Sequence, residues 1–262
     1  VKKIAFIHHV NHDIWDKIWF FPFNYLGKLI ENLYFLCYKK IPFVTVSQST
    51  KEDLFRKGIA PENITVIPNG LFLTSADYVF DKENDLTLLF VSRLTKVKGV
   101  EDCLNLFALI YQHLPTAKLW LIGNGKKQYC QKLKKRAAQL GISEQTIFYG
   151  FINETAKISL MQKAHFLIHT SLKEGFGLTV LEANSQGTPV IAFNSQGLKD
   201  IVLDGINGYR STKGDIQKMA DKILNLYCDK TGYDLLAKSA IEYAKKFSWT
   251  KATKEFIKLI NN

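Results

Sequence analysis

The sequence predicts an α/β protein with two lobes, each built on a parallel sheet. Three observations predict it. From residue 86 onward, short runs rich in Val, Ile, Leu and Phe alternate with longer amphipathic runs. The short runs are apolar throughout, as strands covered on both faces are. A polar, aperiodic stretch at 70–85 then separates this region from a shorter one of the same kind. The 262 residues suit one large domain or two small ones. With 47% hydrophobic and 23% charged residues, the composition excludes a disordered chain. No run of 18 apolar residues occurs, which excludes a membrane-spanning helix.

In the first region, Ile4 to His8 and Phe43 to Ser47 read as strands, with a third at Thr65 to Ile67. Between the first two, Tyr25 to Lys40 has helical apolar spacing at Leu26, Leu29, Ile30, Leu33 and Leu36 or Cys37. Asp53 to Lys57 is a short helix, and Ser47-Gln48-Ser49, before a helix start at Lys51, reads as an N-cap, with the edge of a binding cleft as the alternative. Three strands make an incomplete sheet whose edge needs a cover. The second region is fuller. Strands are expected at Leu86 to Val91, Lys118 to Ile122, Thr146 to Tyr149, Phe166 to His169, Pro189 to Phe193 and Gly208 to Arg210. Helices are expected at Val100 to His113, Lys127 to Leu140, Ile152 to Ala164, Leu178 to Gln186, Gly197 to Val202 and Asp215 to Tyr227. That alternation is a complete doubly wound, Rossmann-like domain. The tail Trp249 to Asn262 is amphipathic and is expected to return to the first lobe. The expected domains are therefore 1–75, 76–248 and the returning helix 249–262.

Net charge and cysteines narrow the function classes. The 35 Lys and Arg exceed the 24 Asp and Glu, a net charge of +11, which favours an anionic partner. The basic residues are dispersed, without an arginine-rich tract, so nucleic acid is not the expected partner. Cys37, Cys103, Cys130 and Cys228 lie far apart, with no C-x-x-C pair. Neither a disulfide framework nor a thiolate zinc site follows, and a reducing cytoplasm is the expected setting.

Two loops carry the chemistry. Glu174 to Glu182, EGFGLTVLE, follows a strand and opens a helix. Gly175 and Gly177 allow a tight turn, and the amides of Leu178 and Thr179 are then open donors at a helix N-terminus, suited to phosphate. Glu182, a turn into the helix, suits a vicinal diol such as ribose, and Glu174 on the loop suits a sugar hydroxyl; a plain glycine turn with two surface glutamates is the alternative. In RLTKVKG, Arg93 and Lys98 lie just past another strand end, where doubly wound sheets bind ligands, and two cations suit a diphosphate. A solvated loop with capping cations is the alternative there.

Together these segments resemble the large retaining family of GT-B glycosyltransferases, family four (glycosyl transferases group 1). The matching residues are Asn69-Gly70, Arg93, Lys98-Gly99, Gly123-Asn124-Gly125, Gly150-Phe151, Glu174 and Glu182, Gly187-Thr188-Pro189-Val190, Gly197 and Asp204-Gly205…Gly208. The resemblance runs from about Val1 to Leu259 and is strongest between 86 and 210. It implies a GT-B fold, two Rossmann-like lobes of which the N-terminal one is incomplete and the C-terminal one complete. It implies transfer of a sugar from a nucleotide-diphosphate donor to an alcohol acceptor with retention of configuration, in surface polysaccharide or glycolipid synthesis.

By the same resemblance, Arg93 and Lys98 hold the donor diphosphate and Glu182 the ribose hydroxyls. Glu174 and the amides of Phe176, Gly177, Leu178 and Thr179 hold the transferred sugar and phosphate. The main chain of Gly150, Phe151 and Ile152 borders the base, Gly123 lies against the nucleotide, and His8 faces the donor sugar. His9, next along the strand, is expected on the opposite face. Lys199-Asp200 stands where the family more often shows Pro-Glu. Three histidines, His8, His9 and His12, lie close in sequence without a carboxylate in register for a metal site. None of the thirteen aspartates forms a D-x-D pair, so neither a metal nor a cofactor is expected beyond the nucleotide sugar. Gly123-Asn-Gly125 followed by Gln128 disfavours a dinucleotide dehydrogenase. A nucleotide-sugar epimerase on the same fold remains a third reading.

The family's N-terminal domain has further strands ahead of the segment matched here. The expectation is therefore of a fragment, of a partner chain supplying the rest, or of a nucleotide-sugar-binding module without turnover. The aromatic cluster Trp15, Trp19, Phe20, Phe21, Phe23 and Tyr25, with the basic amphipathic helix after it, is open to two readings. One is a peripheral contact with the inner face of a membrane, where a lipid-linked acceptor would be met. The other is packing against the rest of the chain or against sequence outside it.

Overall fold

The computed structural model describes residues 3–12, 14–71 and 81–261. The polar linker expected at 70–85 falls mostly on 72–80, outside the described residues. Two parallel sheets organise the chain.

The first sheet has three strands, β1 (Ala5–Ile7), β2 (Phe43–Thr45) and β3 (Ile64–Val66), in spatial order β1-β2-β3. Helix α1 (Trp15–Ile18) and helix α2 (Phe23–Tyr38) lie between β1 and β2, and α3 (Gln48–Arg56) follows β2. Ser47 caps α3, its hydroxyl accepting the Thr50 N–H at 3.2 Å. Cap and helix start earlier than the apolar pattern alone suggests. The core here is small: Phe35, Phe43, Leu54, Ile59 and Ile64 are its larger members.

The second sheet has six strands: β4 (Thr87–Val91), β5 (Lys118–Ile122), β6 (Thr146–Gly150), β7 (Phe166–His169), β8 (Val190–Phe193) and β9 (Gly208–Ser211). Their order is β6-β5-β4-β7-β8-β9, all parallel. Renumbered within this sheet the order is 3-2-1-4-5-6, whose direction reverses between β4 and β7. Alternate residues of each strand go to opposite faces. Leu88, Phe90, Leu119, Leu121 and Ile168 join one buried cluster, and Leu89, Trp120, Ile122 and Leu167 the other. Both faces are therefore core, which explains why these strands are apolar at every position.

Helices α4 (Val100–His113), α5 (Lys127–Gln139) and α9 (Ile216–Cys228) cover the first face. Helices α6 (Glu154–Lys163), α7 (Leu178–Ser185) and α8 (Leu198–Ile201) cover the second. Helix α10 (Lys230–Ala244) was not expected from the sequence; it packs on α7 and α9 largely through Tyr233, Leu236 and small alanines. Helix α11 (Trp249–Asn261) then reaches back to the first sheet, where the Phe256 ring lies 6.3 Å from that of Phe6.

One core feature titrates. His165, at the start of β7, accepts the Thr87 N–H through Nδ1 at 3.1 Å and stacks edge-on against Tyr227. Burial, with Lys82 nearby, pushes it down to about 4 from an ordinary 6.5. Between these values the unfolded chain takes up a proton that the fold excludes. His165 therefore stabilises the fold above pH 6.5, and that contribution is lost as pH falls towards 4, on the order of 3 kcal/mol at most. The melting temperature should drop over this window. His165→Asn, which keeps an acceptor without a titrating proton, should flatten the drop; an unchanged pH profile in that variant would refute the assignment.

Candidate functional site

The loops leaving β4 and β7 flank the point where strand order reverses, the place where open α/β sheets bind ligands. Hydrogen bonds stitch them together. Leu172 N–H donates to the Val97 carbonyl at 2.9 Å, and the Thr170 hydroxyl to the Gly99 carbonyl at 2.8 Å. Gly99 has φ +70°, and a Cβ there would strike the Thr170 carbonyl at 2.1 Å, so only glycine allows the two loops this close.

That stitching sets Lys98 against Glu174, with Nζ to Oε1 at 2.6 Å. His169, the last residue of β7, lies behind them, with Nε2 3.7 Å from the same oxygen. Burial favours the neutral acid at Glu174, yet His169 when protonated, the Lys98 charge and the Lys98 hydrogen bond hold its carboxyl below the ordinary glutamate range. Burial pushes His169 itself down to about 4, so at neutral pH its imidazole is uncharged and Lys98 is the cation that keeps Glu174 ionised.

Two adjoining cavities meet at this pair. One, of about 350 Å³, is walled by His8, Lys98, Glu174 and the turn Phe176 to Thr179 that opens α7. The other, of about 580 Å³, is walled by Arg93, Lys96, Lys98, Lys126 and Tyr129. His9, Lys98, Glu174 and Gly175 belong to both walls. Gly177 caps α7 with φ +89°, and Leu178 and Thr179, the first residues of the helix, line the smaller cavity. A cation, a helix N-terminus and an ionised carboxylate thus face one space. The first two suit a diphosphate and the third a sugar hydroxyl.

Of the residues singled out in the sequence, His8, Arg93, Lys98, Glu174, Phe176, Gly177, Leu178 and Thr179 line the connected cavities. Gly123, Gly150, Phe151, Ile152 and Glu182 do not. Gly123 donates its N–H to the Gly150 carbonyl at 2.7 Å, Phe151 is 83% exposed, and Ile152 packs on the core. Glu182 accepts from Lys157 Nζ at 2.9 Å, one turn along α7 from the cavity.

The expectation for His9 is corrected. β1 ends at Ile7, so the alternation of a strand no longer governs the next two residues, and His8 and His9 both border the crevice. Burial, with Lys173 and Lys98 nearby, keeps the His9 imidazole below its ordinary range and therefore neutral at pH 7.

Polar contacts fasten the first lobe to this site. Asp53 on α3 accepts from Lys173 Nζ at 2.7 Å and from Gln196 Nε2 at 2.8 Å. The Ser49 N–H donates to Asp200 Oδ2 at 2.7 Å, and Lys199 pairs with Glu52 at 3.0 Å. The Lys199-Asp200 departure noted in the sequence is thus used as an attachment between lobes. Gly175 lies against the His8 carbonyl, where a Cβ would come within 2.4 Å.

The family model for glycosyl transferases group 1 matches residues 77–247. The chain belongs to the glycosyl transferases group 1 family. It is 31% identical over 161 residues to the poly(glycerol-phosphate) alpha-glucosyltransferase of Bacillus subtilis (strain 168), a match covering 61% of this chain and 23% of that protein. It is 28% identical over 242 residues to an uncharacterized glycosyltransferase of Methanocaldococcus jannaschii, covering 86% of this chain and 60% of that one. Among solved structures, TarM superposes with a TM-score of 0.82 at 22% identity, over 100% of this chain and 51% of its own. Anabaena HepE, solved in complex with UDP and glucose, superposes with a TM-score of 0.83 at 22% identity, over 99% of this chain and 71% of its own. The fold of this glycosyl transferases group 1 chain is thus GT-B, with a partial three-stranded sheet before a complete six-stranded one. The chain spans only part of the length of these relatives.

Proposed function

We propose that this chain carries the donor site of an enzyme that moves a sugar from a nucleotide-diphosphate donor to an alcohol acceptor with retention of configuration. The setting proposed is surface polysaccharide or glycolipid synthesis. One observation carries the reading: Lys98, Glu174, His8 and the amino end of α7 wall a single cavity at the reversal point of the six-stranded sheet. In this reading residues 76–248 bind the donor, 1–75 border the acceptor, and 249–262 join the two.

Lys98 and Arg93, with the amides at the start of α7, hold the diphosphate and stabilise its charge as the bond to the sugar breaks, without a metal. Glu174 accepts from a sugar hydroxyl, and the acceptor oxygen attacks from the face that the diphosphate leaves, its proton passing to the departing phosphate oxygen. The nucleoside runs from the cavity along the strand ends, past Gly123 and Gly150 to Ile152, with Glu182 turning from Lys157 to the ribose. An incoming diphosphate competes with Glu174 for Lys98, so binding releases the carboxylate towards the sugar.

Calorimetry with the uridine, guanosine and adenosine diphosphates tests this. One should bind, and Glu182→Ala should weaken it about tenfold, the cost of one charged hydrogen bond. The 2′-deoxy nucleotide should bind wild type more weakly and the variant no differently. If no nucleoside diphosphate binds, the proposal fails. Conversion of a labelled nucleotide sugar without acceptor would favour an epimerase, and binding without transfer would leave a donor-binding module.

A further inference from the structure

Strand β7 is apolar at Phe166, Leu167 and Ile168 and then ends on His169. By the period of two, His169 shares the face of Leu167, which packs in one cluster with Phe176, Val180 and Leu181. The ring is 4% exposed, and its Nδ1 has no hydrogen-bond partner among the described residues. Burying a polar ring where a leucine would pack costs stability unless a partner offsets it. The partner within reach is Glu174. Its Oε1 lies 2.6 Å from Lys98 Nζ and 3.7 Å from His169 Nε2. One carboxylate oxygen therefore has two claimants, one bonded and one standing just outside hydrogen-bond distance.

Lys98 keeps the second claimant out. Burial is the main cause of the neutral His169 imidazole; Glu174 favours its charge and Lys98 opposes it. Withdrawing Lys98 removes that opposition and frees the oxygen, and a movement of roughly 1 Å brings Nε2 to bonding distance. The other titratable groups beside the pair are Lys173, His9 and His8. Lys173 is bound by Asp53 at 2.7 Å, and the His9 imidazole answers more to its own burial than to Glu174. His8 borders the same cavity. Ala192 of β8, the register partner of His169, and the turn Phe176 to Thr179 carry no charge. A diphosphate that draws Lys98 away would leave Glu174 to its burial, which favours the neutral acid, just when an ionised acceptor is needed for the sugar.

We propose that His169 is a positioning residue: when Lys98 leaves Glu174 for the diphosphate, the imidazole takes a proton from solvent and holds the carboxylate through Nε2. The trigger rests on the donor reading above, whereas the pairing itself can be provoked without a ligand. Imidazole resonances of histidine-labelled protein test both, the His169 signal being assigned by its absence in His169→Gln. In the free wild type His169 should stay neutral until pH falls to about 4. With a nucleoside diphosphate bound, its midpoint should rise by about one pH unit or more, the effect of an opposite charge brought close. Lys98→Ala should raise it without any ligand, and adding Glu174→Gln should cancel the rise. A midpoint that Lys98→Ala leaves unmoved would overturn the proposal, as would a bound nucleotide that leaves it unmoved in wild type. A rise at His9 in place of His169 would overturn it too. If no nucleoside diphosphate binds, the donor reading and the trigger fall together, and Lys98→Ala still decides the pairing of His169 with Glu174.

Discussion

Lys98→Ala should weaken nucleoside diphosphate binding about 30- to 100-fold, the loss of one strong charged hydrogen bond. The same substitution strips Glu174 of the cation 2.6 Å away while burial still opposes its charge. In wild type the folded carboxyl is held below its ordinary value of 4.5, so Glu174 stabilises the fold above that pH. The contribution is lost as pH falls through the lowered folded value. In the variant the Lys98 charge and hydrogen bond no longer oppose burial, and only His169 and Ser171 are left to do so. The carboxyl therefore rises and the ionised form is less stabilised. Adding Glu174→Gln to Lys98→Ala should restore thermal stability without restoring affinity. Calorimetry and melting curves across pH 4–8 read both effects. Affinity within twofold of wild type in Lys98→Ala would rule out its place on the diphosphate.

Asp53→Ala should cost about 3 kcal/mol of stability, the scale for breaking a buried ion pair from one side. Both partners are under 10% exposed, and Gln196 loses its acceptor at the same time. For a chain of this size that is roughly a 6–12 °C fall in melting temperature. The double change Asp53→Leu with Lys173→Met should recover most of it, because an apolar pair of similar volume avoids the desolvation cost. Donor affinity should fall modestly in the single variant, since Lys173 precedes Glu174 and anchors its loop. A melting temperature within a degree of wild type would show that the lobes are held by other contacts.

Much of the second lobe is legible in the sequence because each strand there is buried on both faces and so is apolar at every position. Helix α10 escaped because three of its seven buried residues are alanines, Ala237, Ala240 and Ala244, with Gly232 in its first turn. Alanine and glycine give little periodic contrast. The loops around Lys98 and Glu174 could be placed because glycines and charges follow strand ends in both. The pairing of Lys173 with Asp53 was out of reach: 120 residues separate them, and no local pattern relates one to the other. His9 was misplaced for a different reason. The period of two holds only while the strand lasts, and β1 is three residues long.

Where Gly175 meets the carbonyl of His8, main chain abuts main chain across the two lobes. The spacing of the two lobes at this contact is therefore gauged by atoms that ordinary side-chain replacement leaves alone. Neighbouring positions can change and retune what is recognised, while the two backbones keep their separation there.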